Sequence, residues 1–331
     1  MSTPLRCAIL SAAHVHTNAY AAALLQLPDA LLAGVWDDDP ARGQTFADRY
    51  GVPYLAHLDR SETWDAFDAA IITSENARHH GLCLAACAAG KHVLCEKPLA
   101  ITREEAEAMI AAARAAQVVL GTAFPMRHNA AARRMRAAVQ EGAIGSVLAV
   151  RATNHGTLPP GWFQDATMAG GGAVMDHTVH VADLLRWYLQ DEPVEVYAEI
   201  SNGFYGLGVD DAALLTISFR TGVVATLDPS WSRPPSFPIW GDLTMEIAGT
   251  HGTISLDAFN QHLLYYPRQS MHPTAFAWGP DADTAMIADF VAAARAGRDP
   301  AASGRDGERA LAVALAAYAS ARSGQPVRIA P

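Results

Sequence analysis

Two stretches of this chain hold residues whose types and spacing suit chemistry. The first is Lys91-His-Val-Leu-Cys-Glu-Lys-Pro-Leu-Ala100, in which an apolar segment, Val93–Cys95, ends abruptly in Glu96-Lys97-Pro98. Proline cannot donate to a sheet ladder and pushes the preceding residue into an extended backbone. A lysine is thereby fixed where a buried strand runs out. In open α/β sheets ligands bind outside the carboxyl ends of the strands, so a lysine there can touch a cofactor and a substrate together. The plainer reading is a surface lysine at a strand-to-turn junction. The second stretch is Gly170-Gly-Gly-Ala-Val-Met-Asp-His-Thr-Val-His-Val-Ala-Asp183. Its glycines let the backbone pass close to a ligand. A helix then starts, with Asp176 and His180 on one face and Asp183 able to reach the same side. A histidine is the natural base for a hydroxyl proton near neutral pH, and an adjacent carboxylate orients it and stabilises the imidazolium. Two other readings stay open: Asp176, His177 and His180 as metal ligands, or His180 as a core histidine bonded to Asp183.

These residues need elements to position them. Residues 1–124 alternate apolar strands with helical patterns: strands at Leu5–Leu10, Ala30–Trp36, Ala69–Thr73, His92–Cys95 and Val118–Gly121, helices at Asn18–Gln26, Pro40–Tyr50, His80–Ala89 and Arg103–Ala116. Strands that are apolar throughout and separated by helices predict a parallel, doubly wound sheet of α/β class. The character changes after Phe124. A helix over 129–141 and another within 169–190 precede a strand-rich region: 194–200, 212–220, 223–230, 243–249 and 253–256. This predicts an α+β domain with a large, mostly antiparallel open sheet. Two helices, 281–295 and 306–322, close the chain and are counted with it. The expected division is therefore 1–124, a dinucleotide-binding domain, and 125–331, a substrate-binding and oligomerisation domain.

Composition narrows the classes. With 331 residues the chain is long enough for two domains, and 18% charged residues suit a soluble globular enzyme. A formal net charge of −10 argues against nucleic acid or anionic membrane as a partner. No apolar run approaches the ~20 residues of a membrane span, and the N-terminus does not read as a signal peptide. Cys7, Cys83, Cys87 and Cys95 all sit in apolar contexts, as expected of core residues in a reducing cytoplasm. Cys83 and Cys87 lack a second pair that would complete a metal site, so no metal is expected.

Glu96-Lys97-Pro98 and the Gly170–Asp183 run, together with Ser230-Trp231 and Gly249-Thr-His-Gly-Thr253, resemble the signatures of the Gfo/Idh/MocA oxidoreductases, the glucose-fructose oxidoreductase and inositol dehydrogenase family. The resemblance implies a Rossmann-type N-terminal domain holding NAD, with NADP disfavoured. Family members place a glycine-rich turn after the first strand; here it reads Ser11-Ala12-Ala13-His14-Val15-His16, with Ser11, Ala13 and His16 at the glycine positions. Small Ser11 and Ala13 still admit a diphosphate, with the backbone of His14 and Val15 in contact, while His16 is expected to push the helix off the strand or to point outward. An acidic residue ending the second strand accepts bonds from the adenosine ribose and repels a 2′-phosphate. By resemblance it is Asp37, left free because Asp39-Pro40 caps the next helix. In Ser74-Glu75-Asn76-Ala77-Arg78-His79, Ser74 and His79 match the family's cofactor contacts, Asn76 is placed to bond ribose or diphosphate, and Glu75 replaces a proline. Glu96 and Arg127, the latter matching an interdomain arginine, complete the expected cofactor side.

The resemblance implies an NAD-dependent dehydrogenase acting on the CH–OH group of a sugar, polyol or inositol-like alcohol. His180 takes the hydroxyl proton, Lys97 stabilises the alkoxide, and Asp176 orients the site. His155 and Trp162, read as loop residues, are expected to stack on and bond a sugar with Lys97, Asp176 and His180. The alternatives are a glycoside hydrolase or lyase working through transient oxidation by NAD, and a non-enzymatic nucleotide or sugar sensor. A homodimer or homotetramer through the second domain's sheet is also expected.

Overall fold

The computed structural model describes residues 3–260, 262–265, 274–277 and 281–330. The chain forms two compact units, Met1–Pro125 with Asp281–Glu308, and Met126–Pro280 with Arg309–Pro331.

The first unit is built on a five-stranded sheet of β1 (Leu5–Leu10), β2 (Ala30–Trp36), β3 (Ala69–Ile72), β4 (His92–Cys95) and β5 (Leu120–Thr122), in the order β2-β1-β3-β4-β5. Every pairing is parallel. Apart from Arg6, His92 and Thr122 the strands are apolar or glycine, as in a parallel sheet covered by helices on both faces. The chain steps from β1 outward to β2, then returns to β3 on the other side of β1. That reversal opens a crevice at the carboxyl ends of β1 and β3, the place where doubly wound sheets bind ligands. Asp39 caps the helix Pro40–Tyr50, accepting from the N–H groups of Ala41 and Arg42 at 2.9 and 3.2 Å.

Helix Ala282–Ala296, expected in the second domain, belongs to the first unit. Its Met286, Ile287, Phe290, Val291 and Ala294 join a core with Leu5, Ile9, Tyr20 and Leu24. The apolar stripe at helical spacing was legible in the sequence; which core it fills is a matter of surface complementarity, not of chain position.

The second unit carries a seven-stranded sheet of β6 (Val147–Gly156), β7 (Pro193–Ser201), β8 (Ala212–Phe219), β9 (Val224–Asp228), β10 (Gly241–Gly249), β11 (Gly252–Asp257) and the short β14 (Val327–Arg328). The order is β11-β10-β6-β9-β8-β7-β14. Only β6–β9 is parallel. A separate antiparallel ribbon pairs β12 (His262–Tyr265) with β13 (Thr274–Ala277). One sheet face is buried by Val150, Ala152, Leu215, Ile217, Ala225, Leu227, Met245 and Ile247. The other presents Leu214 and Val224 among polar residues. The sequence reading missed β6, taking Asn154-His155-Gly156 for a loop. After Val150 its inward positions, Ala152, Asn154 and Gly156, are small or polar, and the segment is recognisable as a strand only between β9 and β10.

Candidate active site

The turn after β1 forms without its glycines. Ser11 adopts φ 75°, the left-handed conformation in which glycine is usual. Its neighbours hold it there: the Ser11 N–H donates to the Trp36 carbonyl at 2.6 Å, the Thr73 hydroxyl donates to the Ser11 carbonyl at 2.5 Å, and the Ala13 N–H reaches Ser11 Oγ at 3.3 Å. The His14 N–H donates to the Thr73 carbonyl at 3.0 Å. Val15 is exposed.

At the end of β2, Asp37 is not free, contrary to the sequence expectation. Its carboxylate accepts from the Ala12 N–H at 2.7 Å, the Asp39 N–H at 2.9 Å and the Arg42 guanidinium at 2.8 and 2.7 Å. Burial pushes the carboxyl up, but these donors outweigh it and hold Asp37 below the usual carboxylate range. Beyond β3, Ser74, Glu75 and Asn76 are buried. His79 is buried there, with one ring nitrogen 2.9 Å from the Pro98 carbonyl oxygen and the other 3.2 Å from that of Ser74. The ring sits between the Glu96-Lys97-Pro98 turn and the segment after β3, and its single N–H, when neutral, donates to one of these two carbonyls. Burial lowers its pKa and keeps it neutral.

Lys97 is buried at the end of β4, and its N–H donates to Glu96 Oε2 at 3.0 Å. Glu96 Oε1 lies 3.0 Å from His16 Nδ1 and 3.5 Å from His14 Nδ1. His16 therefore neither displaces its helix, whose Tyr20, Ala21 and Leu24 stay buried, nor points outward. It turns onto Glu96. Burial alone would raise the Glu96 carboxyl, but His14, His16 and Lys97 drive it far below its ordinary value. Burial lowers His16 less than Glu96 raises it. These three side chains bring metal-ligating atoms within 4.8 Å of one another. His14 Nδ1 accepts the His16 N–H at 3.2 Å, and His16 Nδ1 lies in hydrogen-bonding distance of Glu96, so hydrogen bonds within the group link all three residues.

In the second unit, helix Ala173–Leu189 starts against Asp210. That carboxylate accepts from the N–H groups of Gly172 and Val174 at 2.9 and 2.7 Å, and from the Tyr318 hydroxyl at 2.7 Å. A Cβ on Gly172 would lie 1.8 Å from the Asp210 carbonyl oxygen, and one on Gly171 2.1 Å from the Tyr318 hydroxyl. These glycines were expected to admit a ligand; Gly172 admits the Asp210 backbone and Gly171 the Tyr318 side chain. Asp210 was invisible as a cap because it lies far along the chain. The helix presents Asp176 and His180, both buried. Asp176 Oδ2 accepts from Trp231 Nε1 at 3.1 Å and lies 3.2 Å from His177 Nε2. The other His177 nitrogen is 3.2 Å from the Pro229 carbonyl oxygen, so His177 braces Asp176. Asp183 holds the Arg127 guanidinium at 2.7 and 2.5 Å.

His155 also departs from expectation. It lies in β6, with Nδ1 3.0 Å from Asp242 and Nε2 3.1 Å from Asp228. Burial pushes it down, yet the two carboxylates raise its pKa to about 9. It is a held imidazolium, which removes it as a base and commits both nitrogens. Trp162, in the turn Gly161–Gln164, is half-buried and stacks on Phe163 at 3.9 Å.

The fold and these residues define an oxidoreductase of the two-unit dinucleotide-binding kind, and comparison with known proteins agrees. Residues 5–124 match the oxidoreductase family with the NAD-binding Rossmann fold, and residues 132–255 match the GFO/IDH/MocA C-terminal domain. The 1,5-anhydro-D-fructose reductase of Ensifer adhaerens is 36% identical over 281 residues, 79% of this chain and 80% of the reductase. The myo-inositol 2-dehydrogenase of Thermotoga maritima is 26% identical over 92% of this chain and 93% of its own. GenD2 from gentamicin A biosynthesis, whose crystal structure holds NAD, superposes with a TM-score of 0.91 at 25% identity, covering 100% of this chain and 98% of that one. The chain belongs to the GFO/IDH/MocA oxidoreductase family.

The first unit fits the family's NAD. The turn over β1 is formed, Ser11, Ala12 and Ala13 put no bulky side chain on it, and a buried carboxylate closes β2. No helix among the described residues is long and apolar enough to cross a membrane.

Proposed function

We propose that this oxidoreductase takes a sugar, polyol or inositol-like alcohol as substrate. The carrying observation is the pair Asp176 and His180, one helical turn apart and buried in a helix whose start is locked by Asp210 and Tyr318. His180 removes the hydroxyl proton, and Lys97 stabilises the oxyanion electrostatically. Asp176, fixed by Trp231 and His177, bonds a neighbouring hydroxyl. NAD, when bound, supplies the hydride acceptor; Ser11, Ala13, Asp37, Ser74 and Asn76 line its side of the first unit. The reductase, inositol dehydrogenase and levoglucosan dehydrogenase among the relatives support this substrate class. The formed turn at Ser11 removes the main support for a sensor that has lost catalysis. The test is NADH formation with a panel of sugars, polyols and inositols. Activity on none, with NAD bound, would overturn the substrate class; substrate cleavage without accumulated NADH would favour the hydrolase or lyase alternative.

The open face of the seven-stranded sheet, with Leu214 65% and Val224 41% exposed, supports pairing of two copies through it. Light scattering at micromolar concentration would show a multiple of 35.2 kDa; a monomeric mass would contradict it. Four buried thiols, none in a disulfide, support a reducing compartment such as the cytoplasm.

A further inference from the structure

Two arginines stand among the carboxylates at the end of β2. Arg42, on helix Pro40–Tyr50, has Nη2 2.7 Å from Asp37 Oδ1, 3.0 Å from Asp38 Oδ1 and 3.9 Å from Glu75 Oε1. Arg78, from the turn Asn76–Arg78, pairs through Nη1 with Asp38 and lies 3.4 Å from Glu75 through Nε. Arginine near the end of the second strand is the group that accommodates a 2′-phosphate in dinucleotide-binding folds. Its planar fork matches phosphate bidentately. By position, this chain therefore carries the cations an NADP enzyme needs.

Their forks are filled by carboxylates instead. Arg42 is bidentate to Asp37, and Asp38 and Glu75 each touch both arginines. Two cations face three anions, a net charge of −1. A phosphate would have to draw the guanidinium groups away from carboxylates of which Asp37 and Glu75 are buried, at a large desolvation cost. Asp37 is also the residue that the family resemblance assigns to the ribose, whereas both Asp38 and Glu75 pair with Arg42 and Arg78. Glu75 stands where the family resemblance expects proline, so this restraint is a property of this chain.

We propose that Asp38 and Glu75 are specificity-determining residues that hold Arg42 and Arg78 out of reach of a 2′-phosphate, so that rejection of NADP rests on three carboxylates and not on Asp37 alone. The proposal rests on the NAD reading of the first unit. The test is calorimetric binding of NAD and NADP to the full chain, with Asp38→Asn/Glu75→Gln and, as a second pair, Asp38→Ala/Glu75→Ala. Either folded pair should bind NADP on the order of tenfold or more tighter than wild type does, the size of one new charged contact. The gain should shrink between about 0.1 and 0.5 M salt and vanish when Arg42→Ala and Arg78→Ala are added. Wild type that binds NAD while neither pair gains NADP affinity would overturn this proposal alone, as would a gain that survives loss of both arginines. Wild type that binds neither dinucleotide would overturn the NAD reading and this proposal with it.

Discussion

Raising the pH should loosen the second unit through one residue, His155. Its imidazolium is clasped between Asp242 at 3.0 Å and Asp228 at 3.1 Å, and Asp242 is in turn paired with Arg233. Burial opposes the charge, but the carboxylates outweigh it and lift the pKa from 6.5 to about 9. At about 1.4 kcal/mol per pH unit, that difference corresponds to roughly 3 kcal/mol of stability. Because the folded-state value is the higher one, the contribution is fully present below pH 6.5 and is lost as the pH rises through 9. Asp228 and Asp242 are shifted downward, so their own contributions fade only in acid, outside this window. His155→Gln keeps a hydrogen-bonding side chain and removes the titration. Urea unfolding of wild type and His155→Gln at several pH values isolates the effect, since other titrations cancel in the difference. Wild type should be the more stable by about 3 kcal/mol near pH 6, with the gap closing by about pH 10. A gap that stays constant from pH 6 to 10 would refute the clasp and return His155 to candidacy as a substrate ligand.

Three further outcomes are expected. Lys97→Ala and His180→Ala should each slow single-turnover NADH formation by about 10²-fold or more; a near-normal rate in His180→Ala would place the base elsewhere. Trp231→Phe removes the donor 3.1 Å from buried Asp176, costing about 1.5–3 kcal/mol as a hydrogen bond to a charged group. It should lower stability and move the pH–rate profile, and a variant unchanged in both would show that the bond does not position Asp176. Gly172→Ala puts a methyl 1.8 Å from the Asp210 carbonyl oxygen, so a loss of about 1–3 kcal/mol or more is expected. A wild-type melting curve would mean that the loop shifts freely.

Much of the first unit was legible in the sequence because its signals are local. Continuous apolar strands, a proline stop after Lys97 and the Asp39-Pro40 cap each act within a few residues of themselves. The types and spacing of Asp176 and His180 were equally legible, since a helix fixes which side chains share a face. The sequence alone thus determined the parallel sheet, the candidate lysine and the candidate base. Tertiary structure decided who holds them. Asp37 is occupied by Arg42, His79 sits between two carbonyls, Asp176 leans on Trp231 from 55 residues away, and the helix start is capped by Asp210. Likewise β6 became a strand only between its neighbours, and His155 an imidazolium only between two carboxylates. Hydrogen bonds and ion pairs are set by distance in space, and a buried polar group takes whichever partner the packed chain brings near, so its role is written in the fold and not in its own neighbourhood of sequence.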